Sequence, residues 1–292
     1  MKVQSIIFLL CVGLSFVQCS KKRVDPDLTK YESLEKYFDS LRPEEQEYII
    51  DTLGTCPVEG KYGTRVCIDK QYLESDDDED VYFPYTLKLV ELYSIEDMIY
   101  YFTSHSDNGA LYSCDGIVRV RFFKDDYELN LRDNSSWKIE IPHESPRNNA
   151  KIMYEDVSEK HLRLEASQQI FEQTEYGYES EYLYKLGWIA VGKNISNTQT
   201  YNLSLTSDVD DLETLTAYVY VPGYNNLVHV QHFDEEIAVP EQAEVKVVCM
   251  GMDAEKQLYQ FYTHFRMEKA TEVSVECEQV SESQFINMLK SL

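Results

Sequence analysis

Two histidines, His229 and His232, stand three residues apart, a spacing at which a helix can present two metal ligands together. Their surroundings, Leu227–Phe233, alternate like a strand, and there the two rings point to opposite faces. The run Glu74–Asp80 (ESDDDED) offers carboxylates to calcium. It lacks the spaced ligands and central glycine of a calcium loop and reads as a solvated segment. His161 and His264 have no nucleophile pattern beside them. The chain has no Gly-x-Ser-x-Gly, no phosphate loop and no His-Glu-x-x-His. With 52 Asp and Glu residues, some pair would always fit a glycosidase separation, so that pattern carries no signal. No catalytic residue, metal site or cofactor is expected.

The cysteines offer redox chemistry. There are 7, and cleavage after Cys19 would remove Cys11 and Cys19, leaving Cys56, Cys67, Cys114, Cys249 and Cys277. An odd number permits at most two bridges and one spare thiol. Cys56 and Cys67 flank Gly60 and Gly63 and predict a hairpin bridge. Cys249 and Cys277 lie in strand-like runs and form the second candidate pair, which leaves Cys114 spare. Zinc needs tighter clustering. Asn134, Asn194 and Asn202 head Asn-x-Ser sequons, glycosylation candidates in a secreted chain. Glu175–Lys185 (EYGYESEYLYK) is tyrosine-rich: either a face for sugars or aromatic ligands, or a tyrosine-covered strand.

The chain of 292 residues is 43% hydrophobic and 13% aromatic, enough for a core despite its charge. A net charge of −25 repels phosphate backbones, so nucleic acid is not an expected partner. Anionic lipid surfaces are disfavoured in the same way, and basic partners are attracted. At the N-terminus, Lys2 precedes an apolar run of 11 residues, Ile6–Phe16, too short to span a bilayer. Residues 1–19 therefore read as a secretory signal cleaved after Cys19; a lipoprotein signal with lipidated Cys19 is the rival reading. Ser20–Arg23 is a processing site or a frayed end.

The expected fold is mainly β: antiparallel sheets or a sandwich, compact or elongated, with a short N-terminal helical pair and a C-terminal helix. Apolar steps of three and four predict a helix over Asp27–Leu41, and Pro43 opens a second ending at Gly54. These helices, within a segment 20–55, are a cap on the β body or a propeptide. Alternation predicts strands at Tyr85–Leu92, Ile117–Phe123, Tyr127–Leu131 and Trp137–Ile141, the last three as a meander turned at Asp125-Asp126. Ser94 and Asp97 suggest a capped helix over Ile95–Thr103, where a strand also fits. Pro142–Asn149 (PHESPRNN) predicts a boundary between β-rich domains 56–145 and 146–292. In Leu186–Gly251, Tyr201–Thr206, Thr214–Val221, Leu227–Phe233 and Ala243–Cys249 predict an antiparallel meander whose Thr and Tyr side chains form a face that is wet or that meets a partner. Thr271–Cys277 reads as a last strand and Ser281–Leu292 as a terminal helix.

Within that stretch, Val191–Thr200 (VGKNISNTQT) resembles the Asn- and Ser/Thr-rich strand entry of aerolysin-like pore-forming proteins. Ile237-Ala238-Val239-Pro240, followed by Val245–Val248, resembles that family's later segment before a closing strand. The resemblance implies an elongated secreted β protein that oligomerises on a membrane and inserts amphipathic hairpins. The residues themselves favour a secreted, non-enzymatic binding protein whose ligand is an extracellular protein, a glycan or a lipid. A carrier of the lipocalin kind is included, and it would show an apolar cavity.

Overall fold

The computed structural model describes residues 31–52, 56–77, 79–107, 110–156, 162–195, 199–207, 215–230, 232–233 and 235–292. The expected signal, residues 1–19, Ser20–Arg23 and His161 lie outside them. Among the described residues the chain is mainly β, with four sheets and three short α-helices.

Sheet I takes strands Gln46–Ile50, Tyr85–Leu92, Ala110–Lys124, Gly187–Asn194, Lys151–Glu155 and Leu164–Ile170 in that spatial order. Sheet II takes Glu172–Gln173, Gly177–Leu183, Trp137–Pro142, Arg65–Cys67 and Val58–Glu59. Leu87, Leu89, Val118, Val120, Phe122 and Ile189 of sheet I face Val66, Ile139, Ile141 and Tyr178 of sheet II in one apolar core, a β-sandwich. The opposite face of sheet I packs on helices α1 (Leu34–Asp39), α2 (Ile95–Tyr100) and α3 (Glu282–Lys290). Side-chain caps from Ser33, Ser94 and Ser281 start these helices. The same middle core receives Tyr218, Tyr220, Leu227, Val248 and Met250 from sheet IV. That sheet runs Asn226–Val230, Thr216–Val221, Glu244–Met252, Leu258–Arg266 and Glu278–Val280. Its other face covers sheet III (Ile237–Pro240, Thr200–Ser207, Thr271–Val275) through Leu203, Leu205, Val219, Val239 and Val247. The layers thus stack as II, I, helices with IV, then III.

Several expectations need correction. The second N-terminal helix is strand Gln46–Ile50, because its backbone groups pair with Tyr85–Leu92. Ile49 is 71% exposed on it, where a helix would have buried that side chain. Pro142–Asn149 does not divide the chain: Ala110–Lys124 pairs with Gly187–Asn194 across it, so one sheet holds both sides. Trp137–Pro142 leaves the expected meander for sheet II; only Tyr127–Leu131 returns on Ala110–Lys124, through Asp125 and Asp126, both at positive φ. Thr200–Ser207 likewise leaves its meander and pairs in parallel with Thr271–Val275. All six residues of Thr216–Val221 are buried, so the tyrosine face is a core face.

A polar seam joins the layers. His105 N–H donates to the Leu227 carbonyl (2.7 Å), and Leu227 N–H donates to His105 Nδ1 (3.1 Å). Asn226 Nδ2 donates to the carbonyls of Tyr112 (2.8 Å) and His105 (3.2 Å). Cys114 N–H donates to the Asn225 carbonyl (2.9 Å).

Candidate functional site

Sheet II is short where sheet I is long. Strands Val58–Glu59 and Arg65–Cys67 have 2 and 3 residues, while Tyr85–Leu92 and Ala110–Lys124 have 8 and 15. Between this short hairpin and sheet I lies a cavity of about 430 Å³. Ile50, Tyr85, Leu87 and Phe122 form its sheet I wall, and Val58, Val66, Ile68 and the Cys56–Cys67 disulfide face them. The Tyr85 ring lies 6.0 Å from that of Phe122 and stacks at 5.6 Å on Phe83, which also lines the cavity. The polar members are Thr52 and Asp69. Burial, and then the Asp69 carboxylate, push the Tyr85 phenol up to about 12. The size falls within the roughly 300–1,000 Å³ of small-molecule sites.

Two devices hold the hairpin wall. The disulfide ties the chain entering Val58–Glu59 to the end of Arg65–Cys67. Glu91, 1% exposed, accepts from Tyr62 N–H (3.0 Å), Thr64 N–H (3.0 Å) and Gln46 Nε2 (2.8 Å). This carboxylate works as an acceptor for the turn's backbone donors. A Cβ on Gly60 would lie 2.7 Å from Glu91 Oε2, so the turn needs glycine there.

A second polar cluster lies on Pro142–Asn149. Asp115, its side chain 3% exposed, accepts from the Tyr178 hydroxyl and sits 3.4 Å from Arg147 Nη2 and 3.8 Å from His143 Nε2. His143 Nδ1 accepts from Ser145 N–H (3.1 Å), so a neutral ring carries its proton on Nε2, toward Asp115. That leaves neither nitrogen free to act as a base. The cluster clamps its loop instead, and Arg147 Nη1 reaches on to the Tyr224 carbonyl (3.3 Å).

Of the cysteine candidates, Cys56 and Cys67 are bonded, and Cys114, Cys249 and Cys277 are free. The structure leaves the candidate pair Cys249 and Cys277 unbonded, although both belong to the core between sheets III and IV. Burial, and then the neighbouring Cys277, push the Cys249 thiol up. Asn134 is exposed at a turn with φ 59°; Asn194 and Asn202 are exposed, and Asn202 Nδ2 donates to Glu236. His229 hydrogen-bonds Thr216 Oγ1 (2.8 Å) and stacks on Tyr218, whereas His232 is exposed. Among the described residues no group of three or more His, Cys, Asp or Glu is arranged to hold a metal. The acidic run is held by Arg132 to Asp80 (2.7 Å) and Asn130 to Asp76 (2.8 Å). The tyrosine-rich run splits: Tyr178 is buried, Tyr176 is stacked under Arg65, and Tyr182 and Tyr184 are exposed.

The cavity-lining residues carry no motif. The one sequence signal near them is the glycine pair between Cys56 and Cys67. No family model matches the chain, and neither the curated proteins nor the solved structures contain a match. Of the segments carrying the aerolysin-like resemblance, Gly187–Asn194 lies in sheet I, and Thr200 stands opposite Pro240 in sheet III. The Thr216–Val230 hairpin between them contributes to both the middle and the outer core. No helix among the described residues is long and apolar enough to cross a membrane.

Proposed function

We propose that this chain is a secreted, non-enzymatic binding protein that holds a small apolar ligand between the ends of sheets I and II. The aliphatic and aromatic cavity beside the disulfide carries the reading. A disulfide suits an oxidising compartment and fits the signal-like start of the chain. Exposed Asn134, Asn194 and Asn202 are then available as glycan acceptors. The ligand buries its surface against Ile50, Val58, Ile68 and Phe83, the apolar lining side chains that keep some exposure, and release of water from them drives binding.

Titration with the neutral fluorescent probe N-phenyl-1-naphthylamine tests this. One saturable site in the native protein, lost in Val58→Phe with the fold intact by circular dichroism, supports it. No saturable signal, or equal binding by the filled variant, overturns it.

A further inference from the structure

Asp69 is out of place on that wall. It lines an otherwise largely apolar cavity, close enough to the Tyr85 phenol to bear on its ionisation. Its oxygens serve only local partners: Oδ1 accepts from Gln71 N–H (3.1 Å) and Oδ2 from Gln71 Nε2 at a long 3.4 Å. Among the described residues, no Lys, Arg or His nitrogen pairs with it. The adjacent Lys70 is turned elsewhere, donating to the Val81 carbonyl (3.3 Å) and lying over the Tyr82 and Phe83 rings. A carboxylate at the edge of an apolar space is complementary to a cation on a hydrophobic body. The field of a chain carrying net charge −25 draws the same species inward. An anionic amphiphile would meet both repulsions.

We infer that the cavity selects a hydrophobic amine, with its protonated amino group at Asp69 and its apolar body against Ile50, Val58 and Ile68. The inference rests on the proposed cavity reading and adds the charge of the ligand to it.

The test compares dodecylamine, 1-dodecanol and dodecanoate below their aggregation thresholds, each displacing N-phenyl-1-naphthylamine from the full chain. The amine is expected to bind at least about tenfold more tightly than the alcohol, a factor of ten being ~1.4 kcal/mol. Dodecanoate is expected to bind more weakly than either. Asp69→Asn retains a side chain that can cap the following turn, so the fold is expected to persist. It should bring the amine down to the alcohol. It removes one charge of a strongly acidic surface, so an amine preference unaltered by Asp69→Asn marks general surface attraction and overturns the inference. Equal binding of amine and alcohol by the native protein overturns it too, yet leaves the cavity reading standing. Failure of all three ligands and of the probe overturns both.

Discussion

His105 makes the folded chain sensitive to acid in a way that one substitution can isolate. The ring is 1% exposed, its Nδ1 accepts from Leu227 N–H, and its Nε2 makes no hydrogen bond. Burial pushes its pKa down from 6.5 to about 3, with the Asn225 backbone offsetting part of the drop. The unfolded chain protonates this ring below about pH 6.5, and the folded chain does so only near pH 3. Between those values the unfolded state binds more protons, so stability is full above the window and falls with pH inside it. At about pH 4.5 the loss is two units of unmatched protonation, roughly 2.7 kcal/mol; at about pH 7.5 it is close to zero. The 52 carboxylates titrate over the same range, so the native profile alone does not separate the terms. His105→Asn keeps an acceptor near the Nδ1 position and cannot be protonated. It should be less stable than the native chain at about pH 7.5, and this gap should shrink by roughly 2.5 kcal/mol at about pH 4.5. Urea unfolding followed by circular dichroism reads this as a relative midpoint shift of ~0.8 M for an m-value near 3 kcal/mol/M. A gap that stays constant across that range would refute the reasoning.

Other consequences are as direct. Glu91→Gln places an amide NH₂ toward backbone N–H donors that now share a carboxylate; it should cost about 2–3 kcal/mol in urea unfolding and weaken probe binding through the displaced hairpin. Gly177→Ala should cost more than the ~1 kcal/mol of an ordinary glycine replacement, because φ is +147° and a Cβ would lie 2.2 Å from the Ile141 carbonyl oxygen. Cys56→Ala/Cys67→Ala opens a loop with sequence separation 11 and should lower stability by about 3 kcal/mol, read as a drop in the melting midpoint. Alkylation of the unfolded, unreduced protein, read by intact mass on a chain beginning after Cys19, should label Cys114, Cys249 and Cys277; protection of the last two would show that they are bonded.

What was legible in the sequence is what neighbours along the chain decide. Tyr85–Leu92 and Tyr127–Leu131 follow directly from alternation and the Asp125-Asp126 turn, and α2 begins where Ser94 caps it. Pro43–Leu53 misleads because Tyr48 and Ile49 fit either period; strand Tyr85–Leu92, distant along the chain, settles it through pairing. Tyrosine is ambiguous in the same sense. Tyr218 and Tyr220 read as a wet face until a second layer covers them. The cavity was invisible because it is a gap rather than a motif, lined by residues of two sheets that lie far apart along the chain. Glu91 looked like one acidic residue among many, and its role depends on donors in a turn about thirty positions earlier.

The middle core also orders events during synthesis. Tyr37 and Phe38 of α1 pack on Phe285 of α3, and the Tyr37 hydroxyl donates to Glu282 (2.8 Å). Sheets I and II can assemble once residue 194 has left the ribosome, but the outer face of sheet I then waits for sheet IV and α3, nearly a hundred residues later. Throughout that interval α1 and α2 alone cover this face, and the part of the core that Tyr218, Val248, Met250 and Phe285 complete lies open, a sticky surface of the kind that holdase chaperones shield. A nascent chain arrested before α3 should therefore be captured by such a chaperone, while the finished chain is released.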